Sequence, residues 1–419
     1  MKALWILNSP IGTAARVLGY SHAASGTWVA AAESRLKALL PELTVDYAVL
    51  GYQDRVVTNE VLPCTVYELS MEQCRGKRLS KSAVAAWKSV IQQEKPDLIH
   101  IWGTEFTNPL DVMDACGDIP VVVTIQGVIM SLAKFCHSDV PFGELMKGHS
   151  LLALPAYLRA KMREKDMVRQ VKYEREIISR ADAVLLDNEW SAAFCKIVSS
   201  KTEFVDFPLA INPIFESTEW SYENCEKNTL FTIAPSSSMK GAHILLKALA
   251  IVKTQYPDVK LRVPGTLDCG KFAAITEPPY FRYLRRLISR LGLDTNVEFC
   301  GKLTSEQMAE NIRSANAFVM PSKAENISTS LREAMWVGCP CVTSLVGAVQ
   351  ELAIHDENAL CYRYEEHEVL AFEIMRLLGE PDLAKKLGCN GNRTIRTKYP
   401  MNQPLTDCAD WYKKFGDDK

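Results

Sequence analysis

The sequence predicts an α/β protein of two parallel-sheet domains, and three observations carry that prediction. Residues 317–352 run apolar strand, polar loop, helix, short strand, loop and helix again. That is the pattern of a parallel sheet whose loops gather at the carboxyl ends of the strands, where such folds bind ligands. Short apolar strands alternate with helical stretches on both sides of residue 210. Finally, 419 residues exceed one ordinary core and suit two domains of roughly 200 residues. The predicted domains are 1–209 and 210–401.

In the first half, Lys2 to Asn8 (Ala-Leu-Trp-Ile-Leu within it) is a buried strand, followed by a loop holding Gly12, Gly19 and Gly26. These glycines are not in Gly-x-Gly-x-x-Gly register, so no dinucleotide fingerprint is present. A helix from Thr27 to Leu40 follows, then strands Val45 to Leu50 and Thr65 to Leu69, and a helix from Ser82 to Gln93. Strand Leu98 to Trp102 ends in Gly103-Thr104-Glu105, and strand Val121 to Ile125 ends in Gln126-Gly127. His100 lies inside a buried strand and reads as a core histidine. Thr104 and Glu105 lie just beyond the strand, where a site is expected. Residues 150–180 form a helical region in which Arg159, Lys161, Arg163, Lys165, Arg169, Lys172 and Arg175 interleave with apolar residues. A solvated face and a surface for anionic lipid or a lipid-linked acceptor are both consistent with it. Strand Ala183 to Asp187 precedes the proline-bearing linker near 210.

The second half restarts with strand Leu230 to Ala234, a Ser-rich loop ending in Lys240-Gly241, and an apolar-faced helix from Ala242 to Thr254. A lysine at a helix start after such a loop suits a diphosphate, because helix dipole, free N–H groups and a point charge converge. Strands from Leu261 and Val297 follow, and Thr304-x-x-Gln307 caps the next helix. Strand Ala317 to Met320 stops at Pro321. A loop then carries Glu325 and Asn326 into a helix holding Leu331, Ala334, Met335 and Val337, ended by Gly338 and Pro340. Strands Cys341 to Thr343 and Ala359 to Tyr362, and helices His367 to Gly379 and Asp382 to Lys398, complete the domain.

The chemistry concentrates between 325 and 333. Backbone N–H groups from Asn326 through Ile327, Ser328 and Thr329 to Ser330 sit at a helix start and favour an anion or sugar hydroxyls. With Glu325 in the loop and Glu333 in the helix, the two carboxylates can reach opposite ends of one extended ligand and accept hydroxyl hydrogen bonds. Ser330-x-x-Glu333 also reads as a capping box, which would give Glu333 a purely structural task.

The stretch Glu325-Asn-Ile-Ser-Thr-Ser-Leu-Arg-Glu333-Ala-Met-Trp-Val-Gly-Cys-Pro resembles the Glu-x7-Glu region of family 4 retaining glycosyltransferases. Ile99–Glu105 (Ile-His-Ile-Trp-Gly-Thr-Glu) and Met239–Leu249 resemble the same family. The resemblance implies a GT-B fold: two Rossmann-like, doubly wound domains with a cleft between them, and a last segment, 402–419, crossing back to the first domain. It implies that the first domain binds an acceptor through Gly26, Thr104, Glu105, Gln126 and Gly127. The second would bind a nucleotide-diphospho-sugar through Lys240, Gly241, Glu325, Asn326, Ile327, Ser328, Thr329 and Glu333, with Glu325 on the sugar and Glu333 on the ribose. Glu325 and Lys240 are the residues expected to serve catalysis. Two positions depart from the family. Gln126 stands where many members have His and cannot transfer a proton at neutral pH, and Pro235 stands where many have a phosphate-binding Arg.

The implied reaction is sugar transfer with retention to a hydroxyl on a glycan, lipid-linked or small-molecule acceptor. No Asp-x-Asp occurs, and no metal or other cofactor is expected. A nucleotide-sugar epimerase and a non-catalytic nucleotide-sugar-binding partner subunit are the alternatives. A net charge of −2 gives no electrostatic case for nucleic acid. Thirteen scattered cysteines without a Cys-x-x-Cys pair suggest reduced core thiols. The chain begins Met-Lys and enters a strand, and no apolar run nears ~18 residues. The expectation is a cytoplasmic protein, with the basic helical region either a solvated face or a contact to the cytoplasmic face of an anionic membrane.

Overall fold

The computed structural model describes residues 1–20, 27–71, 77–78, 81–147, 154–268, 277–326, 328–400 and 403–415. They fall into two compact units, one of residues 1–134, 165–210 and 402–419, the other of residues 135–164 and 211–401.

The first unit is built on β1 (Lys2–Leu7), β2 (Thr44–Leu50), β3 (Arg55–Asn59), β4 (Cys64–Leu69), β5 (Leu98–Trp102), β6 (Val121–Thr124), β7 (Ala183–Leu186) and β8 (Glu203–Asp206). They form one sheet in the order β3-β4-β2-β1-β5-β6-β7-β8, with β3 antiparallel to β4 and the other neighbours parallel. Both faces are covered, as an all-apolar strand requires. Along β1, Ala3, Trp5 and Leu7 pack with Leu36 and Trp411 on one side. Leu4 and Ile6 pack with Trp87, Ile91 and Leu110 on the other. The sequence reading lacks β3 and β8 because they are edge strands. Half-exposed residues alternate along β3 and charged ends frame β8, so neither shows an apolar run. The glycine-bearing loop after β1 also contains a short helix, Gly12–Leu18.

The last segment contributes to this unit's core. Leu405, Cys408, Trp411 and Tyr412 are buried there, and Tyr412 Oη meets His100 Nδ1 at 2.6 Å. The other ring nitrogen of His100 meets Thr124 Oγ1 at 2.6 Å. Burial lowers the pKa of His100 to about 3. It is a neutral core histidine, as its place in the strand suggests.

The second unit is built on β9 (Glu226–Thr232), β10 (Lys260–Val263), β11 (Val297–Phe299), β12 (Ala315–Met320), β13 (Cys341–Ser344) and β14 (Leu360–Tyr362). All neighbours are parallel, in the order β11-β10-β9-β12-β13-β14. Numbered within the unit this is 3-2-1-4-5-6, the doubly wound order, and its topological switch point lies between β9 and β12. Residues 135–164, assigned to the first domain by sequence position, belong to this unit. Val140 and Leu145 enter its core beside Tyr283 and Leu287, and Asp139 accepts from Tyr364 Oη at 2.9 Å and faces His243 Nε2 at 3.3 Å. Those contacts hold Asp139 ionised, its pKa lowered to about 2 despite burial. Among the described residues, no helix is long and apolar enough to cross a membrane.

Candidate functional site

Three loops leave the carboxyl ends of β9, β12 and β13, and two glycines weld them together. Gly241 has φ 68°, and a Cβ there would fall 1.7 Å from the carbonyl oxygen of Pro321. Gly347 has φ 56°, and its Cβ would fall 1.8 Å from the carbonyl oxygen of Glu325. Only glycine permits both the left-handed backbone and that approach. Between them, Lys323 N donates to Met239 O at 2.7 Å, and Ser344 Oγ donates to Ser322 O.

The weld brings together the two residues expected to serve catalysis. Lys240 Nζ lies 2.7 Å from Glu325 Oε1, and the same oxygen accepts from Ser322 Oγ at 2.5 Å. The lysine side chain is 35% exposed and the glutamate 11%, so the pair is open on the lysine side. The pair stands at the switch point, where a doubly wound sheet binds its ligand. The helix Ala242–Val252 starts from Gly241 and the helix Thr329–Val337 from Ser328, and neither of these two N-cap residues makes a side-chain cap hydrogen bond among the described residues. In those first turns His243 N donates to Tyr280 Oη at 3.4 Å, Ile244 N to Gly241 O at 2.9 Å and Leu331 N to Ser328 O at 3.0 Å, and the positive end of each helix beside Lys240 and Glu325 suits an anionic ligand.

Ser328 is a non-glycine residue at φ 50°, ψ 49°. Its hydroxyl is buried and, among the described residues, without a hydrogen-bond partner. Asn326 is buried and Thr329 exposed, while Ile327 and Gly26 lie outside the described residues. Glu333 sits one turn into the helix. It accepts no hydrogen bond from the described residues and is only half-buried by area, yet burial pushes its pKa up to about 8. The helix begins at Thr329, so Ser330 is already inside it and the Ser330–Glu333 capping box does not form. Pro235 is buried and lines a small apolar cavity with Ala242, Leu245 and Leu246. Lys323 does not replace the missing cation, since its ammonium donates to His137 O at 3.3 Å.

In the first unit, the expected residues gather at the ends of β1, β5 and β6. Asn8 Nδ2 donates to Trp102 O at 3.2 Å. The Glu105 carboxylate lies over Gly103, where a Cβ would meet its Oε2 at 2.1 Å, and near Gly127, where one would meet its Oε1 at 3.4 Å. Glu105 and Gln126 are half-buried at this edge and Gly127 is buried. Thr104 is fully buried, and its hydroxyl donates to Glu174 Oε1 at 2.8 Å. Glu174 also accepts from Ile129 N at 2.8 Å and Met130 N at 2.6 Å, holding the start of helix Ile129–Phe135. Burial outweighs those three donors and raises its pKa to about 7. The sequence reading does not single out Glu174 within the basic helical region. Its spacing from Gln170 and from Ile178, four residues each way along the buried side, is the signal that places it inside.

Residues 216–394 match the family described as glycosyl transferases group 1. This stretch is a group 1 glycosyl transferase domain. Its match spans the welded loops, Lys240, Glu325 and Glu333. The chain is 27% identical over 146 residues to the D-inositol 3-phosphate glycosyltransferase of Corynebacterium urealyticum, a match covering 34% of this chain and 33% of that protein. It is 31% identical over 190 residues to the MMP alpha-(1->4)-mannosyltransferase of Mycolicibacterium hassiacum, covering 45% and 43%. These matched stretches thus span less than half the length of either relative. In fold the whole chain is similar to sucrose-phosphate synthase from Thermosynechococcus elongatus, with a TM-score of 0.74 at 17% identity and full coverage of both chains. It is also similar to Anabaena HepE, solved in complex with UDP-glucose, with a TM-score of 0.68 at 15% identity, covering 99% of this chain and 100% of that one. The group 1 domain therefore sits in a chain of GT-B fold, two Rossmann-like parallel-sheet units.

Proposed function

We propose that this protein is a glycosyltransferase that moves a sugar from a nucleotide-diphospho-sugar to a hydroxyl acceptor, with retention and without a metal. The observation that carries the reading is the Lys240–Glu325 pair at the switch point of the group 1 domain. Lys240 and the positive ends of the two helices meet the diphosphate charge, Glu325 and Asn326 take sugar hydroxyls, and Glu333 takes the ribose. The leaving diphosphate removes the acceptor proton on the face it departs from, and Lys240 stabilises the charge that develops there. Glu105, Gln126 and Gly127 serve the acceptor, a glycan, lipid-linked or small-molecule hydroxyl. The named relatives and the UDP-glucose complex of a fold neighbour support a nucleotide-sugar donor. A cytoplasmic site of action fits the cysteines, none of which is bonded to another among the described residues.

The test is thermal denaturation against a panel of nucleotide sugars, followed by a transfer assay with the stabilising donor. A true donor at 100 times its Kd stabilises by about 2.7 kcal/mol. If no nucleotide sugar shifts the melting temperature, the reading fails. Binding without transfer or hydrolysis would instead favour the non-catalytic partner subunit, for which the loss of a cation at Pro235 is the motivating observation.

Glu333 supplies a second test through pH. Its pKa of about 8 stands above the ordinary 4.5. Its contribution to stability is therefore complete below the lower value and lost as pH rises through the upper one. Thermal stability should decline across that window by up to about 1.4 kcal/mol per pH unit from this group, and Glu333→Gln should remove that part of the slope. Ribose hydroxyls prefer the ionised acceptor, so nucleotide binding near neutral pH should release protons in the wild type and none in the variant. The variant should bind nucleotide about tenfold more weakly, with the gap widening as pH rises. Calorimetry in buffers of different ionisation enthalpy reads both quantities. Equal affinity and equal proton release in the two proteins would remove Glu333 from the ribose site.

A further inference from the structure

The second unit carries a groove of about 300 Å³ away from the donor loops. It lies between helices Phe142–Met146 and Pro279–Arg290 and is lined by Glu144, Lys147, Tyr283, Arg286, Ser289 and Arg290. Three cations face one carboxylate. Glu144 is shared between Arg290 at 3.4 Å and Lys147 at 3.8 Å, which leaves positive charge in excess. Arg286 gives Nη2 to the carbonyl of Glu144, but its Nη1 is buried and, among the described residues, has no acceptor. A buried guanidinium N–H without a partner is unfavourable unless an anionic acceptor arrives.

The same short helix leads from this groove to an exposed apolar patch. Phe142, at its start, is 55% exposed and packs edge-on against Tyr157 with ring centroids 4.8 Å apart. Leu154, Leu158 and Met162 follow at four-residue spacing and are 42%, 52% and 62% exposed. Arg159 and Arg163 flank them, exposed and, among the described residues, in no ion pair. Four large apolar side chains in water, bordered by unpaired cations, form a costly surface for a soluble protein to keep. Interleaving of this kind is what an interfacial helix presents to anionic lipid.

We propose that this face docks on an anionic membrane, with a lipid headgroup phosphate in the Arg286–Arg290–Lys147 groove and Phe142, Leu158 and Met162 in the interfacial region. A free sugar phosphate could fill the groove but would leave the apolar patch unexplained. With a net charge of −2 the chain as a whole is not drawn to anionic lipid, so the attraction has to come from local cations such as these. The inference is independent of the donor chemistry.

Sedimentation with phosphatidylcholine vesicles, with and without phosphatidylglycerol, tests it. The wild type should pellet only with the anionic vesicles, and the bound fraction should fall as salt rises. Arg286→Gln with Arg290→Gln, and separately Leu158→Ser with Met162→Ser, should each weaken vesicle binding by about tenfold or more. Nucleoside diphosphate affinity should stay at the wild-type value in both variants, which shows that they fold and separates this result from any failure of the donor reading. Absence of association at low salt overturns the proposal. Protection by inorganic phosphate without vesicle binding would make the groove a soluble-phosphate site and overturns it as well. Undiminished binding of the Leu158 and Met162 variant would overturn the docking geometry, and self-association through the patch without vesicle binding would assign it to a second copy of the chain.

Discussion

Gly241→Ala is expected to destabilise the protein by about 2–5 kcal/mol and to abolish measurable nucleoside diphosphate binding. The left-handed backbone at φ 68° costs a non-glycine residue about 1–2 kcal/mol. The new methyl would lie 1.7 Å from the backbone oxygen of Pro321, and relief by movement adds about 1–3 kcal/mol, as overpacking does. The relief has to separate the loop bearing Lys240 from the loop bearing Glu325, so binding suffers with stability. Gly292→Ala isolates the two terms. It has φ 64° but nothing within 4 Å of its Cβ, so only the backbone cost should appear and binding should survive. Thermal unfolding and calorimetry on both variants are sufficient. If Gly241→Ala melts and binds no differently from Gly292→Ala, the loops are not welded as described.

That weld was only partly legible in the sequence. Each loop could be read alone: Lys240-Gly241 as a phosphate-type helix start, and Glu325 and Glu333 as carboxylates around a loop–helix junction. Nothing in the spacing shows that Lys240 and Glu325, 85 residues apart, meet at 2.7 Å, because that depends on which strands become neighbours. Strand order places β9 beside β12 and so makes the site. Buried strands were legible as apolar runs and core-facing helices as apolar residues at helical spacing: Leu98 to Trp102 and His367 to Gly379 fall at their expected bounds. Edge strands were not, since one partner and a wet face leave a mixed pattern. The Ser330–Glu333 spacing offered a capping box that the helix start at Thr329 rules out; a motif of two residues cannot report where a helix begins. Residues 135–164 were assigned by position, whereas Val140, Leu145 and Asp139 pack with the second unit.

Lys240→Ala and Glu325→Gln should move nucleotide affinity in opposite directions, a consequence of their being paired. Without ligand, Lys240 already has a carboxylate partner, and Glu325 competes with any diphosphate for the same ammonium. Lys240→Ala removes the cation and leaves a mostly buried carboxylate without it, facing the incoming phosphates. Affinity for a bare nucleoside diphosphate should then fall by about 1.5–3 kcal/mol, roughly 10- to 150-fold. Glu325→Gln keeps the shape, removes the competitor and lowers the negative potential at the site. Since half-exposed pairs of this kind are worth about 0.5–1 kcal/mol, the bare diphosphate should bind two- to fivefold more tightly. Turnover of the complete donor should nonetheless drop, because Gln at 325 loses the charge-assisted contact to the transferred sugar. The double variant should depart from additivity by about the energy of the pair, since the two side chains touch. Calorimetry with the nucleoside diphosphate and steady-state rates with the full donor separate the cases. A Lys240→Ala protein that folds and binds diphosphate as the wild type does would remove the phosphate role. Weaker diphosphate binding by Glu325→Gln would mean that Glu325 positions the lysine for the ligand rather than competing for it.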